Sequence, residues 1–143
     1  MKKNIFIMLM VLISTNIFSQ EENIFIFSKA EERAFVYPDN SYISSRDSVI
    51  KSLIINFEGI AFIYNNLNDM KGVRYSKVTS GSETMGSNTY TVLYYKIIQF
   101  DKINISEVKI YILGNKSGFF VITLNDGVEI IQKFYKIKFP SKD

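Results

Sequence analysis

The chain has no cysteine, no histidine and no tryptophan, and these absences exclude several classes of chemistry. Without cysteine there can be no disulfide, no thiol nucleophile and no lipid attached to a cysteine. Without histidine, a Ser-His-Asp triad, a Cys-His pair and the ordinary zinc sites are impossible. Neither of the glycine-rich phosphate-binding patterns occurs in the sequence. We therefore predict no catalytic residues, no metal site and no cofactor.

The first 19 residues have the three-part layout of a secretory signal peptide. Lys2 and Lys3 give a positive start, the apolar run Ile5–Ile13 follows, and Ser19 is a small residue suited to cleavage. As a helix this run would rise about 14 Å, well short of the ~30 Å hydrocarbon core of a bilayer. A permanent membrane anchor is therefore the less favoured interpretation, and a buried core helix is less favoured still because the run has no polar face.

The end of this leader resembles bacterial signal peptides that finish in Phe-Ser-Gln, which places the cut between Ser19 and Gln20. We expect a signal peptide over 1–19 and a single globular domain over 20–143. The product would be exported to the periplasm or beyond, meeting the membrane only transiently. Cleavage would remove two lysines and leave 15 basic against 14 acidic residues, so the basic precursor gives no indication of nucleic-acid binding.

Two helical segments are predicted in the first half of the mature chain. Ser28 and Glu31 fit a capping box ahead of a short helix over 29–36. Across 46–67, apolar residues recur at three- and four-residue steps, which predicts an amphipathic helix. The members of that stripe are Ile50, Leu53, Ile54, Phe57, Ile60, Ala61, Tyr64 and Leu67. The many β-branched residues favour instead a hairpin turning at Glu58-Gly59, and this alternative stays open.

The second half of the chain has the pattern of a sheet. Strands are predicted over 72–79, 89–100, 107–113, 119–124 and 128–139, with a polar loop over 80–88 and a hairpin turn at Asn125-Asp126-Gly127. Alternation places Val108, Ile110 and Ile112 inward. In the last strand we expect Ile131, Tyr135, Ile137 and Phe139 to share one face. The predicted fold is α+β, with one or two helices packed on a curved antiparallel sheet of four to five strands; all-β is the alternative.

The layout from about Val49 to Asn125 resembles the cone-shaped NTF2-like or cystatin-like superfamily. The resemblance rests on Gly72–Tyr75, on the long Thr89–Phe100 strand, and on Val108–Leu113 paired with Phe119–Leu124. It implies a concave sheet face, which in that superfamily often holds an apolar cavity.

Five tyrosines on the predicted strands are candidate binding residues, with core packing as the alternative: Tyr75, Tyr90, Tyr94, Tyr95 and Tyr111. Ser82 and Glu83, in the predicted 80–88 loop, are candidate contact residues. We expect an exported, non-catalytic binding or interaction protein whose partner is an unknown protein or a small apolar ligand. The alternatives are a small enzyme that uses carboxylates and tyrosines, and a periplasmic immunity or inhibitor protein.

Overall fold

The computed structural model describes residues 23–47, 49–65, 67–98 and 104–139, and these ranges are almost entirely β-structure. The expected signal peptide and its cleavage site lie outside them. The strands are β1 (Ile24–Phe27), β2 (Arg33–Val36), β3 (Tyr42–Ser45), β4 (Ser52–Ile55), β5 (Ile60–Ile63), β6 (Lys71–Met85), β7 (Asn88–Ile98), β8 (Ile105–Ile112), β9 (Gly118–Leu124), β10 (Glu129–Phe134) and β11 (Lys136–Lys138). One 3-10 turn covers Leu67–Asp69, and these ranges contain no α-helix.

Neighbouring strands pair antiparallel in the order β11-β1-β4-β5-β6-β7-β8-β9-β10-β2-β3. Strands β10 and β11 are separated only by Tyr135, yet they have different neighbours. Before Tyr135 the chain pairs with β9 and β2, and after it the chain pairs with β1. This one bent segment supplies β11, the first strand of the order, and β10, which lies near the opposite end. The sheet is therefore curled back on itself and has a concave inner face.

Gln132 joins β10 to the segment that leads into β4, and only 1% of its surface is exposed. The backbone N–H of Ile50 donates to Gln132 Oε1 at 3.0 Å. In return, Gln132 Nε2 donates to the carbonyl of Ile50 at 2.6 Å and to Ser28 Oγ at 2.9 Å. The side-chain amide thus does for Ile50 what a neighbouring strand would do, and it satisfies buried backbone groups.

The concave face holds the main core, which alternation along the strands produces. In β8, the buried residues Val108, Ile110 and Ile112 point inward as predicted. They pack with Phe120 of β9 and Phe62 of β5, both almost fully buried. A smaller apolar cluster lies on the convex face of the same strands. The core therefore consists of side chains from different parts of one curled sheet.

Strands β6 and β7 form a long hairpin that extends beyond its neighbour β5. Their pairing runs from Arg74 opposite Ile98 to Met85 opposite Asn88. A two-residue turn closes it, and Gly86 has the positive φ of 60° that a type II′ turn requires at its first position. Strand β5 pairs only with the first three residues of β6. Beyond them, β6 has one strand neighbour among the described residues.

The predicted α+β fold is wrong, because both expected helices are strands in the structure. Part of the expected 29–36 helix is β2, and the Ser28 hydroxyl accepts a bond from Ala30 N while donating to the Lys133 carbonyl. Residues 46–67 contain β4 and β5, joined by a turn in which Asn56 N donates to Gly59 O. This is the hairpin alternative at Glu58-Gly59.

Three further expectations are corrected. The resemblance to the NTF2-like superfamily implied helices against a sheet, and the absence of an α-helix from the described ranges conflicts with it. The predicted loop over 80–88 is wrong, because β6 continues to Met85 and only two residues form the turn. The single face predicted for 128–139 is also wrong: the bend at Tyr135 changes the alternation, so Phe134 and Ile137 are both buried while Tyr135 is exposed.

Candidate functional site

A groove lies where the outer half of the β6–β7 hairpin projects past the β4–β5 turn. We call it the hairpin groove; its volume is about 370 Å³. The groove is lined by Ile24, Ile55, Asn56, Phe57, Tyr75, Val78, Thr79, Ser80, Leu93, Tyr95 and Phe139. None of these lining residues is charged. The arrangement can hold apolar groups and offers them hydroxyl and amide neighbours.

Tyr75 and Tyr95 form the wall of the groove next to the core. Their rings meet edge to face, with centroids 5.0 Å apart. The Tyr75 hydroxyl donates to the carbonyl of Asn56 at 2.8 Å, which fixes the ring against the β4–β5 turn. Burial, and then the charge of Tyr75, raises the pKa of Tyr95 well above its usual range. The ring contact and the hydrogen bond to Asn56 together hold Tyr75 between Tyr95 and the β4–β5 turn.

The outer wall of the groove carries large apolar side chains that face solvent. The exposed fractions are 57% for Phe57, 49% for Val78 and 44% for Phe139. Leu93 of β7 is half-buried and packs on the core beside them. Exposed apolar groups gathered around a concavity are typical of a binding surface.

Tyr90, Tyr111 and Glu83 lie together on the convex face, away from the groove. Tyr111 stacks on Phe119 with centroids 4.5 Å apart, and Tyr90 meets Phe119 edge to face at 5.4 Å. Burial raises the pKa of Tyr111, and the charge of Glu83 and a hydrogen bond to it raise this pKa further. These rings cover one another, as expected for packing on the convex face.

Tyr94 also points away from the groove. Its hydroxyl donates to Glu107 Oε2 at 2.7 Å, and this bond, followed by burial and the carboxylate charge, raises the pKa of Tyr94. Lys109 Nζ lies 3.7 Å from Glu107 Oε1. Ser82 is exposed on the hairpin, on the concave side of β6. Of the seven candidate residues, the structure thus brings only Tyr75 and Tyr95 to the groove.

Two other clefts contain charged residues. One, of about 540 Å³, lies on the outside of β4–β6 and includes Glu58 and Arg74. The other, of about 560 Å³, includes Arg33, Tyr64 and Asp69, with Lys71 Nζ 5.8 Å from the centre of the Tyr64 ring. Each cleft is lined by a single carboxylate, so neither has the pair of acids that glycoside cleavage needs.

Sequence reasoning missed Phe57, Val78, Leu93 and Phe139 as groove residues. The helical period across 46–67 includes Phe57 and so conceals its place in a hairpin turn. A signal for the projecting hairpin does exist, since Gly86-Ser87 is a Gly-Ser pair of the kind that forms a two-residue turn between strands. Reading that pair as a turn would have extended β6 and placed Val78 opposite Tyr95.

The described ranges form an all-β fold with an uncharged, partly apolar concave site. In the part of the chain that the structure describes, no cluster of three acidic side chains is placed to hold a metal ion. Within the same ranges, no helix has the length and apolarity to cross a membrane. A scan against known protein-family models finds no match, and a search of curated protein sequences finds none either.

Proposed function

We propose that this is an exported, non-catalytic binding protein whose hairpin groove takes a small apolar ligand. The observation that carries the proposal is the groove itself: a concavity of about 370 Å³ without a charged lining residue. This volume is at the lower end of the roughly 300–1,000 Å³ typical of small-molecule sites. Export rests on the leader sequence over 1–19.

The surroundings of the groove favour an uncharged ligand over a charged one. A charged group placed against Tyr95 and Leu93 would lose hydration without gaining a partner, because no lining residue carries an opposite charge. An apolar ligand would instead cover Phe57 and Val78, which are about half exposed without it. Covering such surface contributes roughly 25 cal/mol per Å².

The proposal is tested with the neutral fluorescent probe N-phenyl-1-naphthylamine. We expect its emission to rise on titration with the protein, because the ring system leaves water for the groove. Val78→Asp should weaken binding about tenfold or more, since a carboxylate would stand beside the bound ring.

Ile43→Asp is the matched control. Ile43 is also an exposed β-branched residue, at 58% exposure, but it lies in β3, the last strand of the order, and does not line the groove. Its replacement should change affinity by less than about twofold, as expected for a site away from the ligand. Absence of any emission change, or equal loss in both variants, would show that the groove does not bind apolar ligands.

A further inference from the structure

The outer half of β6 has an open backbone edge. From Lys77 to Met85 this strand pairs with β7, and no other strand of the described ranges pairs with it there. A two-residue turn closes on a hydrogen-bonded pair, so Met85 and every second residue before it bond to β7. The residues between them direct their N–H and C=O groups away from the hairpin. These outward-facing positions are Val78, Ser80, Ser82 and Thr84.

Both ends of this open edge are blocked. At one end, Gly59 of the β4–β5 turn lies so close that a Cβ there would be 2.3 Å from the Val73 carbonyl oxygen. A bulge between Tyr75 and Lys77 then marks where the free stretch begins. At the other end, the Gly86-Ser87 turn reverses the chain. The free stretch is therefore 77–85, and its midpoint is Gly81.

We propose that a second copy of this chain pairs antiparallel along 77–85, with Gly81 on the two-fold axis. This register overlaps the two free stretches along their full length. It places Val78 opposite Thr84 of the second copy, and Ser80 opposite Ser82 of the second copy. Every outward-facing backbone group of 78–84 then meets one that also faces outward, as an antiparallel ladder requires. An open strand edge commonly pairs with a strand of another chain, either in aggregation or in a specific complex.

Charge along the strand favours a second copy over an unrelated partner. Lys77 and Glu83 are the charged residues of this stretch, and both are on the convex side of β6. In the proposed register Glu83 is opposite Thr79 of the second copy and diagonal to Lys77 of that copy. A lysine side chain is long enough to reach a diagonal neighbour. The self-paired ladder thus places Glu83 diagonal to Lys77 twice, and each Glu83 would exchange its hydrogen bond with Tyr111 for this charge pair. Like charges lie several residues apart.

Gly81 fits the central position. Directly opposed residues at a non-hydrogen-bonded pair have Cα atoms about 4.5 Å apart, so the two copies of residue 81 would lie close together at the two-fold axis. Glycine adds no side chain there, and the space around its position is open, with no atom within 4 Å of an added Cβ. The pairing needs no ligand in the hairpin groove, so it can be tested apart from the proposed function.

A single-cysteine variant tests both the dimer and its register, because the full chain has no cysteine of its own. Gly81→Cys should give a disulfide-linked dimer under mild oxidation, since a Cα separation of about 4.5 Å is within disulfide range. Thr79→Cys is the matched control on the same side of β6. Its sulfur atoms would be separated by about 13 Å along the strands, so it should stay unlinked. Equal linking of the two variants, or none in Gly81→Cys, overturns the proposed pairing.

Charge exchange provides an independent measurement by sedimentation equilibrium of the unlinked protein. Lys77→Glu and Glu83→Lys should each weaken dimerisation by about threefold or more, because two cross-strand pairs become repulsive. The double variant should recover most of the lost affinity. A wild-type chain that remains monomeric at all concentrations, or a double variant no better than the single ones, would contradict the proposal.

Discussion

The middle of the sheet and the outer half of the β6–β7 hairpin have the same backbone pairing but very different burial. Val108 of β8 is fully buried, whereas Val78, in the same cross-strand row, is 49% exposed. Strand β8 has a neighbour on each side and a facing layer across the curl, while this part of β6 has one neighbour. Strand pairing makes successive side chains point to opposite faces of the sheet. The comparison teaches that the inward-pointing side chains form a buried core only where another part of the sheet covers them.

The largest effect that separates the two regions is expected at their strand glycines. In Gly118→Ala the new Cβ would lie 1.8 Å from the Tyr111 carbonyl oxygen, so backbone of β8 or β9 must move. We expect a loss of about 3 kcal/mol or more in the free energy of unfolding. The same change at Gly81, where a Cβ meets nothing, should leave stability unchanged or raise it by up to about 1 kcal/mol.

Urea unfolding of both variants, at a protein concentration low enough to keep the chain monomeric, measures this difference. Similar losses at the two glycines would mean that the outer hairpin is packed as tightly as the middle of the sheet. That result would contradict the contrast drawn between the two regions.

A second, smaller difference concerns polar side chains. Gln132→Met keeps the volume of the side chain but leaves the buried N–H and C=O of Ile50 without partners. We expect a loss of about 1–3 kcal/mol, as for other unsatisfied buried groups. In the hairpin, Thr84→Val removes the exposed hydroxyl contact of 3.1 Å with Thr89 and should change stability by less than about 0.5 kcal/mol.

Thermal and urea unfolding followed by circular dichroism compares these variants with the wild type. If Thr84→Val lowered the free energy of unfolding as much as Gln132→Met, solvent exposure would not be what makes the Thr84–Thr89 contact weak. If neither had an effect, the junction at Gln132 would not help to close the curled sheet.

The middle of the sheet could be predicted from the sequence, because local pattern and burial agree there. Val108, Ile110 and Ile112 alternate with Glu107 and Lys109, and the structure places them inward. The Asn125-Asp126-Gly127 turn is also as predicted, with Gly127 at a φ of 86° and Val128 N donating to Asp126 Oδ1. Both features depend on neighbours close in sequence.

The first half of the fold could not be predicted, because pairing between distant segments decides it. Residues 52–63 fit a helical period, yet strand β4 pairs with β1, about 30 residues earlier in the chain. The groove depends on the same distant contacts, since Ile24 and Phe139, near opposite ends of the chain, line it together. Tyr75 and Tyr95 were found because they lie on strands whose existence was clear from the sequence.

The smallest expected effect is a pH dependence of stability that comes from Tyr95, which lies at the boundary between the core and the groove. Burial holds the pKa of Tyr95 above its usual range, whereas in the unfolded chain a tyrosine ionises near pH 10. Above about pH 10 the unfolded state therefore releases a proton that the folded state keeps, and stability falls as pH rises, by at most about 1.4 kcal/mol per pH unit. Tyr95→Phe should make this fall shallower, measured by urea unfolding from pH 8 to 11. An unchanged slope would show that Tyr95 ionises as easily as an exposed tyrosine and that its side of the groove is open to water.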